Sequence, residues 1–160
     1  MGEKEVRADA VIDVGILAVG LSKNPATDHC LEIIEEAVKG RIRALIPYTV
    51  VFGTHYILTR FYNVAQKEAN DLLQNLLSST RIVWYGDIDK DNVKKSLSNS
   101  EMYDLDAWDG YILYLMEKNQ IRIVYTLDME HFGKIDWIKA VNPVPDEKMH
   151  ELRSYLQGTM

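Results

Sequence analysis

Residues 105–128, LDAWDGYILYLMEKNQIRIVYTLD, carry a helix, a strand and a pair of acids whose spacing decides the fold. Leu105, Ile112 and Met116 recur at helical intervals and share one stripe, with Trp108 and Leu115 beside it. Asp109 falls on that same stripe, four residues after Leu105 and three before Ile112. The run IRIVYT (121–126) then reads as a strand, and Asp128 follows just past its end. A helix leading straight into a short apolar strand is one unit of an α/β sheet. It also poses a question, because a carboxylate on the buried side of a helix needs a reason to be there.

The same alternation extends in both directions. RADAVID (7–13) reads as a short buried strand ending in Asp13, and ILAVGLS as a helical turn or two closed by Gly20. Asn24–Pro25 or Thr27 is expected to cap the next helix, DHCLEIIEEAVKG (28–40), which turns Leu31, Ile34, Ala37 and Val38 inward and places Gly40 at C′. IRALI (42–46) is a strand. PYTVVFGTHYILTRF (47–61) has proline at a first helical position and reads as a helix, although its β-branched residues also suit a strand. Asn63 to Gln66 resembles a capping box ahead of the amphipathic helix AQKEANDLLQNLLSS (65–79). RIVWYG (81–86) is a strand and DIDKDNVKKSLSNS (87–100) a polar helix or helical loop. LDMEHFGK (127–134) reads as a loop, WIKAV (137–141) as a short strand and DEKMHELRSYLQ (146–157) as a terminal helix. Short apolar strands alternating with helices imply an α/β sandwich around a mostly parallel sheet.

Composition narrows the function. The 160 residues, 47% hydrophobic and 26% charged, suit a single globular domain spanning 1–160 with a core that needs no staples. The lone Cys30 rules out an intramolecular disulfide and a cysteine-based zinc site, fits a cytoplasmic setting, and reads as a small helix residue. No apolar run is long enough to cross a bilayer, and the charged MGEKEVRAD has no signal-peptide core, so no membrane association is expected. A formal net charge of −6 lends no support to nucleic-acid binding, though a local basic patch can coexist with it.

Three acids share one kind of location. Asp13 ends the first strand, Asp128 follows a later one, and Asp109 opens a helix that in this architecture starts at the same sheet edge. Ligands bind outside the carboxyl ends of parallel strands. Carboxylates converging there repel and resist desolvation, and a divalent cation relieves both; oxygen-only ligands favour magnesium or manganese. Each acid also has a plainer reading: Asp109 as the third-position partner of an N-cap at Asp106, Asp13 and Asp128 as turn residues or caps.

Four blocks, VIDVGIL, IPYTVVFGTHYIL, YDLDAWDGYILYLMEKN and IVYTLDMEHF, resemble in order and separation the signature blocks of PIN domains, over roughly residues 8 to 140. The resemblance implies a three-layer α/β/α sandwich with about five strands. It implies a nuclease, of the kind found in toxin–antitoxin pairs and RNA processing, that holds magnesium or manganese on an acidic cluster. Carried over, the catalytic and metal-binding acids are Asp13, Asp109 and Asp128, with Thr126 the hydroxyl near the last of them; Asp106 is a further candidate, acting through water. The implied reaction is metal-dependent hydrolysis of RNA phosphodiesters, and the implied partners are RNA, a second copy in a homodimer, and an antitoxin protein.

Two departures weigh against full activity. The glutamate usual in the second block is replaced by Gly53, and Val14 and Gly15 stand where the first block usually continues with polar residues. His55, two residues past Gly53, is about 200° round the helix and points elsewhere. The alternative is therefore a catalytically degenerate PIN-like domain that binds RNA or protein. A haloacid-dehalogenase or response-receiver reading fails on motifs: Asp13-Val14-Gly15 is not Asp-x-Asp, and IVYT is followed by Leu127 and Asp128 rather than lysine. Arg41, Arg43, Arg60, Lys94, Lys95 and Lys134 are available to a nucleic-acid backbone without clustering in sequence. Trp108 and Tyr111 are expected in the core.

Overall fold

A computed structural model describes residues 6–159, so the charged Met1–Glu5 segment lies outside it. The elements run β1 (Ala10–Ile12), α1 (Val14–Gly20), α2 (Thr27–Val38), β2 (Ala44–Pro47), α3 (Tyr48–Phe61), α4 (Gln66–Leu77), β3 (Val83–Tyr85), α5 (Lys90–Tyr103), α6 (Ala107–Lys118), β4 (Ile123–Tyr125), α7 (Met129–Phe132), β5 (Lys139–Val141) and α8 (Asp146–Thr159). The strands form one five-stranded sheet in the order β3-β2-β1-β4-β5, and every pairing is parallel. Helices cover both faces, so the central strands β1 and β2 are buried at every residue. This order differs from the 2-1-3-4-5 arrangement of receiver-type domains.

β1 is the hinge of the topology. The chain moves outward from it through β2 to β3, then returns to lay β4 along its other side. The reversal puts a topological switch point between β1 and β4, where a crevice opens at the carboxyl ends. The register pairs Ile12 with Tyr125, which sets the next residues, Asp13 and Thr126, side by side.

Local chemistry explains most element ends. α3 is a helix despite its β-branched residues because Val50, Val51, Thr54 and Leu58 bury one face, and the Thr54 hydroxyl donates to the Val50 carbonyl at 2.7 Å. Pro47 is its N-cap rather than its first helical residue. The polar stretch after β3 is a full helix, started by a capping box between Asp89 and Asn92. Gly40 stands at C′ of α2 with φ +77°, as its position predicts. Val38, expected inward, is exposed, and three further expectations need correction. The capping box at Asn63–Gln66 does not form: Ala65 is the N-cap without a side-chain bond, and Asn63 takes φ +54° in the turn before it. α2 is not capped by Asn24 or Thr27 either; their side chains tie the preceding loop, Asn24 Oδ1 accepting from the Ala26 N–H and Thr27 Oγ1 from the Asn24 N–H. The segment after β4 is not all loop, because Asp128 caps the short α7.

Candidate metal centre

Asp13 is 6% exposed and caps α1, its Oδ1 accepting from the Val14 N–H at 2.7 Å. The Asp13 N–H donates to the Tyr125 carbonyl, extending the β1–β4 ladder one residue past the strands. Buried Thr126 exploits that proximity twice. Its hydroxyl donates to Asp13 Oδ2 at 2.8 Å and accepts from the Asp128 N–H at 2.9 Å. One hydroxyl thus links the acid after β1 to the acid after β4, residues 113 and 115 positions apart being drawn to one point of the edge.

α6 supplies the other acids from its first turn. Asp106 caps the helix, accepting from the Asp109 N–H at 2.9 Å. The reverse bond of a capping box, from the Asp106 N–H to the Asp109 side chain, is not made, so the cap does not engage the Asp109 carboxylate. That carboxylate is half-buried at the edge of a cleft, and burial pushes its pKa up to about 8, with the charges of Asp13, Asp106 and Asp128 adding to the rise. Burial likewise raises Asp13 to about 6, against the opposing bonds from Thr126 and Val14. Among the described residues no lysine or arginine forms an ion pair with Asp13, Asp106, Asp109 or Asp128.

The cleft, about 600 Å³, runs from Asp13, Asp106 and Asp109 along the outer face of α3. Its walls are apolar: Val14, Val50, Phe52, Tyr56, Ile57 and Ile112. Gly53 faces Val14, and a Cβ built on it would stand 3.3 Å from a Val14 methyl. The two departures from the PIN pattern are therefore neighbours in space, forming an apolar floor beside the acids. Trp108 is not a core residue: it is 62% exposed and forms part of the cleft wall, whereas Tyr111, three residues on in the same helix, is buried and donates from Oη to the Asp87 carbonyl. His55 stands apart from the acids, its Nε2 2.9 Å from Asn70 Oδ1.

His131 is the residue that motif reading passed over. Asp128 Oδ1 accepts from the His131 N–H, and the imidazole Nδ1 lies 2.9 Å from both Asp128 oxygens. The hydrogen bond to Asp128 raises the His131 pKa, and the positive charge of the protonated imidazole opposes the rise at Asp109. The signal was present as Asp-x-x-His, since a residue at the third position of a helix folds back on its cap.

The donor chemistry of the edge fits a hard divalent cation: oxygen ligands in excess of countercharge, one of them deeply buried. As the side chains stand, no three His, Cys, Asp or Glu groups among the described residues are gathered closely enough to hold an ion. An ion would have to draw them in.

No protein-family model and no curated protein matches the sequence. Solved structures do match the fold. A chain of a toxin–antitoxin complex from Klebsiella pneumoniae aligns over 84% of this chain and 97% of its own, at 15% identity and a TM-score of 0.58. VapC20 of Mycobacterium tuberculosis, a sarcin-ricin loop cleaving toxin, aligns over 78% and 93% at 13% identity, with a TM-score of 0.62. FitAcB from Neisseria gonorrhoeae aligns over 84% and 97% at 17% identity, with a TM-score of 0.56. These likenesses establish the fold, a PIN-like three-layer α/β/α sandwich built on an all-parallel five-stranded sheet.

Proposed function

We propose that this protein is a divalent-metal-dependent endoribonuclease whose site is Asp13, Asp109 and Asp128, with Asp106 reaching an ion through water. The observation that carries the reading is that these acids stand along one sheet edge, none of them paired with a lysine or arginine among the described residues, with the Thr126 hydroxyl bridging the Asp13 carboxylate and the backbone N–H of Asp128. When bound, magnesium or manganese supplies positive charge beside the scissile phosphate and acidifies water there. Thr126 holds Asp13 and the backbone of Asp128 in register, and Asp106 fixes the first turn of α6 so that Asp109 faces the cleft. The partners that go with this reading are RNA, a second copy of the chain, an antitoxin protein as in the toxin–antitoxin neighbour, and a cytoplasmic setting.

The test is cleavage of a single-stranded RNA under titration with magnesium and manganese. Wild-type activity should rise with metal and fall by at least about 100-fold in Asp13→Asn and in Asp109→Asn. Metal-independent cleavage, or cleavage indifferent to Asp13, overturns the reading.

A second reading, a binding module that has lost catalysis, is favoured by the apolar floor of Val14 and Gly53 and by the ungathered donors. It predicts RNA or protein binding that is unchanged in Asp109→Asn, with no cleavage at any metal concentration.

A further inference from the structure

We propose that the site is completed in trans: a second copy of the chain, packed antiparallel against α3, delivers its Arg60 to hold the substrate phosphate at this copy's acidic edge. The inference deepens the nuclease reading and rests on it. Asp13, Asp106 and Asp109 repel a phosphodiester, and among the described residues no lysine or arginine lines the cleft that holds them. Arg60 is a cation on the outer side of the helix that forms the cleft wall. Tyr48, Phe52, Tyr56 and Arg60 recur at four-residue intervals, all of them exposed, and make one ridge along α3. The Arg60 guanidinium rests over the Tyr56 ring, 5.5 Å from its centroid, and makes no ion pair among the described residues. Within its own chain it stands at the wrong end. α3 leaves the carboxyl end of β2 at Tyr48, so its first turn borders the acids, while Arg60 lies about 18 Å further along the axis.

This face thus carries acids at one end, a guanidinium at the other and aromatic rings between. Such a patch is complementary to itself turned end for end, which is the relation a two-fold axis imposes. The axis falls between Phe52 and Tyr56, the two most exposed rings of the ridge at 73% and 54%. Phe52 of each copy then meets Tyr56 of the other, and Arg60 of each falls against Tyr48 of the other, at the acidic edge. Parallel packing would instead set the two guanidiniums against each other, a like-charge contact that disfavours it. Arginine suits the task because its planar fork grips two phosphate oxygens at once. α3 itself offers nothing polar at Gly53, where the only side chain close by is that of Val14.

The experiment uses the full chain and a single-stranded RNA with manganese, with sedimentation giving the oligomeric state. Wild type should be a dimer. Arg60→Ala should stay dimeric and lose about tenfold or more in cleavage rate, and Phe52→Glu, as a monomer, should lose as much. The deciding sample pairs Arg60→Ala with Asp109→Asn, co-expressed under different tags and purified as the heterodimer. One of its two sites joins an intact Asp109 to an Arg60 from the other copy, so it should cleave at about half the wild-type rate, although each variant alone is impaired. If Arg60 serves its own chain, neither site is complete, and the heterodimer cleaves no faster than the Arg60→Ala dimer. That result overturns the proposal, as does a fully active Arg60→Ala or a wild type that cleaves as a monomer. If wild type does not cleave, or the Asp109→Asn dimer cleaves as well as wild type, the nuclease reading fails and takes the proposal with it. Circular dichroism of each variant separates these results from misfolding.

Discussion

At the scale of single residues, the acids are held at a cost that pH exposes. Asp109 and Asp13 keep their protons to about 8 and about 6 in the folded chain, while an unfolded aspartate releases its proton near about 3.9. The folded state therefore binds more protons between these values, and stability falls as pH rises from about 4 through about 8. Denaturant titration of the metal-free protein should give a lower unfolding free energy at pH 8 than at pH 5. Asp109→Asn should be the more stable protein at pH 8, by roughly 1–3 kcal/mol, and should flatten the slope. A slope of opposite sign would mean that the carboxylates are paired. Gly53 and Val14 make a second residue-scale case. Adding a carboxylate by Gly53→Glu should strengthen manganese binding by about tenfold when Val14→Ala accompanies it, and by less alone, because the Val14 methyl crowds the new side chain. Calorimetric titration of the single and double variants measures the difference.

At the scale of elements, the hairpin of α5 and α6 aims Asp106 and Asp109, and two features hold it. Asp89 and Asn92 satisfy each other's backbone N–H at the start of α5. Asp89→Ala should cost about 1 kcal/mol, lowering the melting temperature by about 2–4 °C in a calorimetric scan. Gly110 lets the two helices touch: a Cβ there would stand 2.2 Å from the Ser96 carbonyl oxygen, and backbone cannot step aside as a side chain can. Gly110→Ala should cost about 3 kcal/mol, several-fold more than the lost cap. α6 was legible in the sequence through its apolar stripe, whereas the polar run of α5 left helix and helical loop open. Their closeness was not legible. A glycine within a helix marks a contact without naming the partner.

At the scale of the molecule, an apolar face stands next to the acids. Phe52, Tyr56 and Phe61 from α3 adjoin Trp108, and Trp108 adjoins Val93 and Leu97 from α5 across a second shallow cleft. The exposed part of these side chains amounts to roughly 700 Å², close to what one partner contributes to a standard interface. α4 adds nothing to this face, because it buries Leu73 and Leu76 and shows polar residues outward. Phe52, at 73% exposed, is the natural probe. Sedimentation should find wild type as a dimer and Phe52→Glu as a monomer; a monomeric wild type would set the homodimer aside.

The pattern of apolar residues determined by itself that strands and helices alternate, where each but the short α7 lies within a few residues, and that Asp13, Asp109 and Asp128 stand at element ends, because periodicity and capping are local properties of a chain. Tertiary structure alone decided that Thr126 bridges two of these acids, that Gly53 meets Val14, that His131 clasps Asp128 among carboxylates from elsewhere, and that Trp108 faces solvent while Tyr111 does not. A sequence period reports that one side of an element is apolar. Which element covers that side, and which stretch is left open beside a charge, follows only from how the layers stack.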